Sequence, residues 1–192
     1  MLMLATRNLG SLFFTGGVML TLCCAGANAA DFVLTSPVFK DGAPIVGTKY
    51  GGNLKSNPNC IGENVSPAFS WSNPPEGTKS FAMLMYDPEG RGGAGITQWV
   101  AYGIPASLTG LAEGEGSQPA DKFIIGKNSI EPAGYIGPCA PRGAPHHYVF
   151  TLIANDLEPG ALKSDLTRDE LAAALSGHVK GVTGLVGLYA RP

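Results

Sequence analysis

Two adjacent histidines, His146 and His147, close the Gly- and Pro-dense stretch YIGPCAPRGAPHHYVFTL, from Tyr135 to Leu152. Proline fixes the shape of such a loop, and glycine lets backbone approach a ligand closely. Imidazole is the side chain best matched to an anion or a metal near neutral pH. The stretch therefore reads as the wall of a binding pocket. Two further strand ends bear on it. Asp87-Pro88 stops the apolar run from Ser80 to Tyr86, and Gln98-Trp99 opens the next one. If these two runs pair as neighbours, Asp87 and Gln98 come to the same end of a sheet. An Asp, a Gln and a His at three strand ends, beside a Gly/Pro wall, would make a small polar pocket. The plainer reading of Asp87 is a cap on the turn that follows, common at Asp-Pro.

Several chemistries have no anchor in this chain. There is no G-x-S-x-G elbow and no H-E-x-x-H, and no G-x-G-x-x-G or P-loop opens a helix after a strand. Without a close Cys/His cluster, no zinc ligand set is expected. Asn64-Val-Ser66 is a formal glycosylation sequon. The formal charge is −2, with no Lys/Arg-rich stripe or tail, which argues against nucleic acid and against electrostatic docking on anionic lipid. Any anion bound here must be captured locally.

The elements that would hold these residues are mostly strands. Short apolar runs recur with turn signals between them, the pattern of an all-β domain. Candidates are Phe32 to Ser36, Ala68 to Ser72, Ser80 to Tyr86, Gln98 to Ile104, His147 to Ala154 and Leu185 to Ala190. The third and fifth are apolar at almost every position, so both faces should be covered. Strand alternation turns His146 toward the pocket and His147 away from it. Gly51 to Asn64, Asn73 to Thr78, Pro88 to Ile96 and Leu111 to Asp121 read as loops. One helix is well marked. Thr167 and Glu170 form a capping box, with Leu166 and Leu171 as its staple. Leu171, Leu175, His178 and Val182 continue at helical spacing, with Gly181 as the stop. His178 on that stripe reads as a packed, hydrogen-bonded histidine rather than a ligand.

The stretch from Asn8 to Ala30 is uncharged and ends in Ala27-Asn28-Ala29, a small-x-small cleavage pattern. Residues 1–29 are therefore expected to be a cleaved export signal, with an uncleaved membrane anchor as the alternative. Residues 30–192 form one domain on this reading. The leader would remove Cys23 and Cys24 and leave Cys60 and Cys139. In an oxidising compartment this pair is expected to form a disulfide. Closing a loop of about 80 residues stabilises by on the order of 4 kcal/mol on the chain-entropy argument.

Taken together these segments resemble the phosphatidylethanolamine-binding protein family, in its bacterial Raf-kinase-inhibitor-like branch. Cys60-Ile-Gly-Glu-Asn-Val-Ser-Pro67 with Phe69-Ser-Trp71 is similar to the branch's C-x-G-x-N-x-S-P segment and tryptophan strand. Met85-Tyr-Asp-Pro-Glu89 resembles its D-P-D segment, and Gln98-Trp99 falls where the family has His-Trp. Tyr135-Ile-Gly-Pro138 through His146-His147-Tyr148 resembles the second signature, Y-x-G-P-x-P-P-x-G followed by H-R-Y. The likeness spans nearly all of residues 31–191. It implies a mainly β fold, with a large central antiparallel sheet, a smaller sheet and peripheral helices, one of them near 168–180. It also implies a pocket for phosphate or a phospholipid head group, built from Asp87, Gln98, Gly137, Pro138, Cys139, His146 and Tyr148, with no metal or cofactor. Gln98 replaces a titratable His, Glu89 a second Asp, Ala140 a Pro, and His147 a permanently charged Arg.

The expectation is thus an exported, non-enzymatic binding protein, periplasmic or secreted, with a small anion pocket. The alternative is a protein–protein modulator of an exported protease or another envelope partner, with the pocket vestigial. A third reading makes Asp87 and His146 an acid/base pair of an enzyme.

Overall fold

The computed structural model describes residues 30–117, 121–130 and 134–191, so the expected leader lies outside it. In chain order the strands are β1 Val33–Thr35, β2 Ala43–Pro44, β3 Asn53–Leu54, β4 Asn57–Ile61, β5 Phe69–Ser72, β6 Ser80–Asp87, β7 Ile96–Pro105, β8 Gly110–Leu111, β9 Ile124–Ile125, β10 His146–Asn155 and β11 Val179–Tyr189. The helices are a single kinked turn, α1 Gly90–Gly93, and α2 Arg168–Ala174. No helix among the described residues is long and apolar enough to cross a membrane.

Three layers follow from the apolar patterning. A six-stranded sheet, ordered β2-β11-β10-β6-β7-β9, lies at the centre. Its β6 and β10 are apolar on both faces because both faces are covered. Met83, Met85, Trp99, Phe150 and Leu152 pack on one side against Leu34, Phe69, Trp71 and Leu111 of the three-stranded sheet β1-β5-β8. Ala82, Val100 and Tyr102 pack on the other side against Leu166, Leu171 and Leu175 around α2. Aromatic contacts tie the first interface together, with the Phe69 and Phe150 rings 4.9 Å apart and the Trp71 and Phe81 rings 5.3 Å apart.

The capping box forms as the sequence predicts. Glu170 N donates to Thr167 Oγ1 at 3.3 Å, and Thr167 N donates to Glu170 Oε2 at 2.9 Å. Leu166 and Leu171, the staple pair, are both buried in one cluster.

Five features depart from the sequence reading. The helix stops at Ala174, not near 180, because Gly177 takes the left-handed conformation (φ 82°) and turns the chain into β11. His178 consequently sits on no helical stripe; its Nδ1 pairs with Asp156 Oδ1 at 2.7 Å on a half-exposed side chain. The last strand begins at Val179 rather than Leu185, running the full length of β10. The stretch Gly51 to Asn64 is not all loop: β3 and β4 pair into a two-stranded ribbon. The central sheet is antiparallel except at one edge, where the short β2 runs parallel to β11.

Candidate functional site

The β6–β7–β10 end of the sheet collects the predicted residues. Asp87, the last residue of β6, is 3% exposed. Its Oδ1 accepts from the backbone N–H groups of Glu89 and Gly90, both at 3.0 Å, so it does cap the turn. The same carboxylate also meets His146, whose Nδ1 lies 2.9 Å from Oδ2 and 3.1 Å from Oδ1. The capping role and the pocket role are both met by one side chain. His147, one residue on, turns to the other side as alternation requires. There its Nδ1 lies 2.7 Å from Glu89 Oε1, and its backbone N–H donates to Glu89 Oε2 at 3.1 Å. Partial burial pushes the Glu89 carboxyl up, but these bonds from His147 outweigh it and hold it below the usual value.

Gln98 is placed by an irregularity. Met85 pairs with Trp99 and Tyr86 with Thr97, so Gln98 is the extra residue of a β-bulge. Its Nε2 donates to Gly137 O at 3.1 Å, while Oε1 is buried without a hydrogen-bond partner among the described residues. A cavity of about 220 Å³ opens here, lined by Asp87, Gln98, Cys139, Cys60, Arg91 and Asn57, among others.

The Tyr135–Ala140 loop forms the wall, held by several backbone hydrogen bonds. Gly137 N donates to Asn64 Oδ1 at 2.7 Å, and Asn64 Nδ2 donates to Tyr135 O at 2.6 Å. Gly52 N donates to Pro138 O at 2.8 Å. Cys139 N donates to the Tyr148 hydroxyl at 3.1 Å. A Cβ on Gly137 would lie 2.2 Å from Tyr50 O, so only glycine fits at that crossing. The Cys60–Cys139 disulfide joins the loop to β4, with the two Cα atoms 5.4 Å apart. Asp87, Gln98 and Cys139 thus line the cavity directly. His146 reaches it through Asp87, Gly137 through Gln98, and Tyr148 through Cys139, while the Pro138 carbonyl turns to Gly52. Burial, then the neighbouring Asp87 carboxylate, push the Tyr148 phenol far above its ordinary value, so it stays protonated.

Two site residues escaped the sequence reading. Arg91, in a loop with no motif, lines the cavity beside Asp87. Asn64 drew notice as a sequon, yet its side chain clamps the pocket loop from a left-handed backbone (φ 60°). Only its place in the C-x-G-x-N-x-S-P resemblance pointed to more. Asp87, Glu89 and His146 also bring one ligand atom each within 4.8 Å of one another, a set that could hold a cation. A cation there would have to displace donors, since Asp87 Oδ1 accepts two backbone N–H groups and Glu89 is held by His147.

A β-rich body carrying a small polar pocket at the rim of its large sheet is the class these features define. A model of the phosphatidylethanolamine-binding protein family matches residues 35–190, and the chain belongs to that family. It is 40% identical over 146 residues to a UPF0098 protein of Methanothermobacter thermautotrophicus, covering 73% of this chain and 92% of that protein. It is 34% identical over 170 residues to a Mycobacterium tuberculosis protein named as the lipoprotein LppC, covering 84% of this chain and 73% of the other. The crystal structure of Escherichia coli YbcL, described as a new member of the mammalian PEBP family, superposes with a TM-score of 0.74 at 32% identity. That match covers 84% of this chain and 99% of YbcL. The disulfide and the lipoprotein relative are compatible with an envelope or exported protein.

Proposed function

We propose that this is an exported, non-enzymatic binding protein whose Asp87–Gln98–Arg91 cavity takes a small anion, phosphate or the head group of a phospholipid. The observation that carries the reading is the buried Gln98 carboxamide. Its Oε1 lacks a partner, and Gln98 and Arg91 both line the cavity. A buried acceptor without a donor costs about 1–3 kcal/mol, which a bound ligand can recover. A ligand matching both groups carries anionic oxygens for Arg91 and a donor for Gln98. Protonated phosphate and phosphoethanolamine both have that pattern.

The test is co-crystallisation and calorimetry with inorganic phosphate and phosphoethanolamine. Density between Asp87, Gln98 and Arg91, with binding weakened by Gln98→Leu and His146→Ala, supports the reading. Binding untouched by either substitution defeats it. A partner pulled from an envelope extract whose capture survives both substitutions would favour the modulator reading instead.

A further inference from the structure

A second cavity, of about 380 Å³, lies on the opposite face of the same sheet end. Alternation along the strands separates the two spaces. Tyr86 and Thr97 line the second, while their neighbours Asp87, Ile96 and Gln98 line the first. Arg91, at the rim, lines both. Three cationic side chains face the second cavity: Arg91, Lys127 and Arg168. The one acid among its lining residues is Asp169.

These cations have donors to spare. Arg91 gives one bond to Ser129 O at 2.5 Å, and Arg168 Nε gives one to Asp169 Oδ1 at 3.3 Å. A guanidinium carries five N–H donors, so most of both forks stay available. The Arg168 guanidinium lies over the Tyr86 ring, its Cζ 4.5 Å from the centroid, in reach of a cation–π contact. Gly95 makes room for that ring. It has φ 81°, and a Cβ there would lie 1.7 Å from the Tyr86 hydroxyl. Beyond the lining, Glu170 is acted on by Lys163 and Lys127, and its carboxylate is engaged by Thr167. The site owes nothing to the start of α2, which is short and already capped; the side chains carry it.

We propose that this cavity is a second anion site, separate from the Asp87–Gln98 pocket, and that it takes the dianionic head of a phosphate monoester. Three cations against one lining acid leave a local surplus of positive charge on a chain whose overall charge is negative. A phosphoryl group offers acceptor oxygens in the geometry that guanidinium forks recognise. Because Arg91 borders both spaces, occupancy of one would be felt in the other.

Titration of the purified protein with glycerol 3-phosphate, followed by amide chemical shifts, reads both sites at once. The expected result is movement of the Gly95, Lys127 and Ser129 signals. Lys127→Gln and Arg168→Gln should each weaken that response by about ten- to a hundredfold, the scale of one hydrogen bond to a charged group. Shifts at His146 and Tyr148 report the first pocket and should survive both substitutions. Movement confined to His146 and Tyr148, or affinity unchanged in the Lys127→Gln/Arg168→Gln double variant, would overturn the proposal. Near-UV circular dichroism of each variant guards against loss of fold, and Lys127→Gln alone, at an exposed position, keeps the test valid if Arg168→Gln does not fold.

Discussion

Nδ1 of His146 lies 2.9 Å from Oδ2 of Asp87, so the ends of β10 and β6 meet as an imidazole–carboxylate pair. This changes how the pocket must handle an anion. With the imidazole neutral, the pair carries the charge of Asp87 and repels an anion. With the imidazole protonated, the pair is neutral and Arg91 alone sets the sign of the cavity.

Phosphate affinity should therefore rise as pH falls from 8 to 5.5, through the range where imidazoles gain their proton. His146→Ala should remove the imidazole's share of that dependence and leave only the titration of the phosphate itself. Calorimetric titration at several pH values checks this, and a wild-type affinity that stays flat would sink it. Gln98 contributes no slope, since an amide does not titrate.

How much of this could be read in the chain depends on what each segment contacts. β6 and β10 were legible because covering both faces demands apolar residues throughout. The Asp87–His146 pair was legible because both residues sit where apolar runs stop or start. The β3–β4 ribbon was not: Asn57–Ile61 reads Asn-Pro-Asn-Cys-Ile, without alternation, and is held by Cys60 packed with Leu54 and Ile136. The overlong helix arose because His178 and Val182 continue the spacing of Leu171 and Leu175 after Gly177 has already turned the chain. Arg91 has no local signature at all. Its place between two cavities follows from a kinked turn (φ 52°) that only the packed rim defines.

The disulfide should stabilise the pocket wall as well as the chain. The two cysteines are 79 residues apart in sequence, so the Cys60→Ser/Cys139→Ser variant should lose on the order of 4 kcal/mol if the entropic argument holds fully. Both cysteines line the cavity, so anion affinity should fall with it. Urea unfolding measures the first effect and phosphate titration the second. Unchanged midpoints in urea would refute the structural role given to this bond.

Asn64→Ala should destabilise the fold by about 1–3 kcal/mol for each buried group left unpaired, since Gly137 N and Tyr135 O would both lose their partner. Gly137→Ala should cost a comparable amount through overpacking, about 1–3 kcal/mol. A glycan on Asn64 would attach at Nδ2, the atom that donates to Tyr135 O, so folded protein should carry no glycan there. Chemical denaturation of the two variants, with intact mass of the native protein, decides the matter. A glycan on Asn64 in native protein would contradict the clamp.

Alkali should unfold this protein from within its core. Burial holds the Tyr135 and Tyr148 phenols far above their ordinary value, with Asp87 adding to the effect at Tyr148. A group whose folded value is raised contributes stability that is complete below its unfolded value, about 10 for tyrosine. That contribution is lost as pH climbs above 10, at up to about 1.4 kcal/mol per pH unit for each such group. Phenolate absorbance near 295 nm should thus appear together with loss of the near-UV circular dichroism, as one cooperative step. Tyr148→Phe removes one proton from that slope. It also leaves Cys139 N without its acceptor, so the variant should be less stable at pH 7 yet lose stability less steeply above pH 10. Buried phenols ionising gradually near pH 10 with the near-UV signal intact would show that the Tyr148 environment is far more open to solvent than its packing against Asp87 and Cys139 implies.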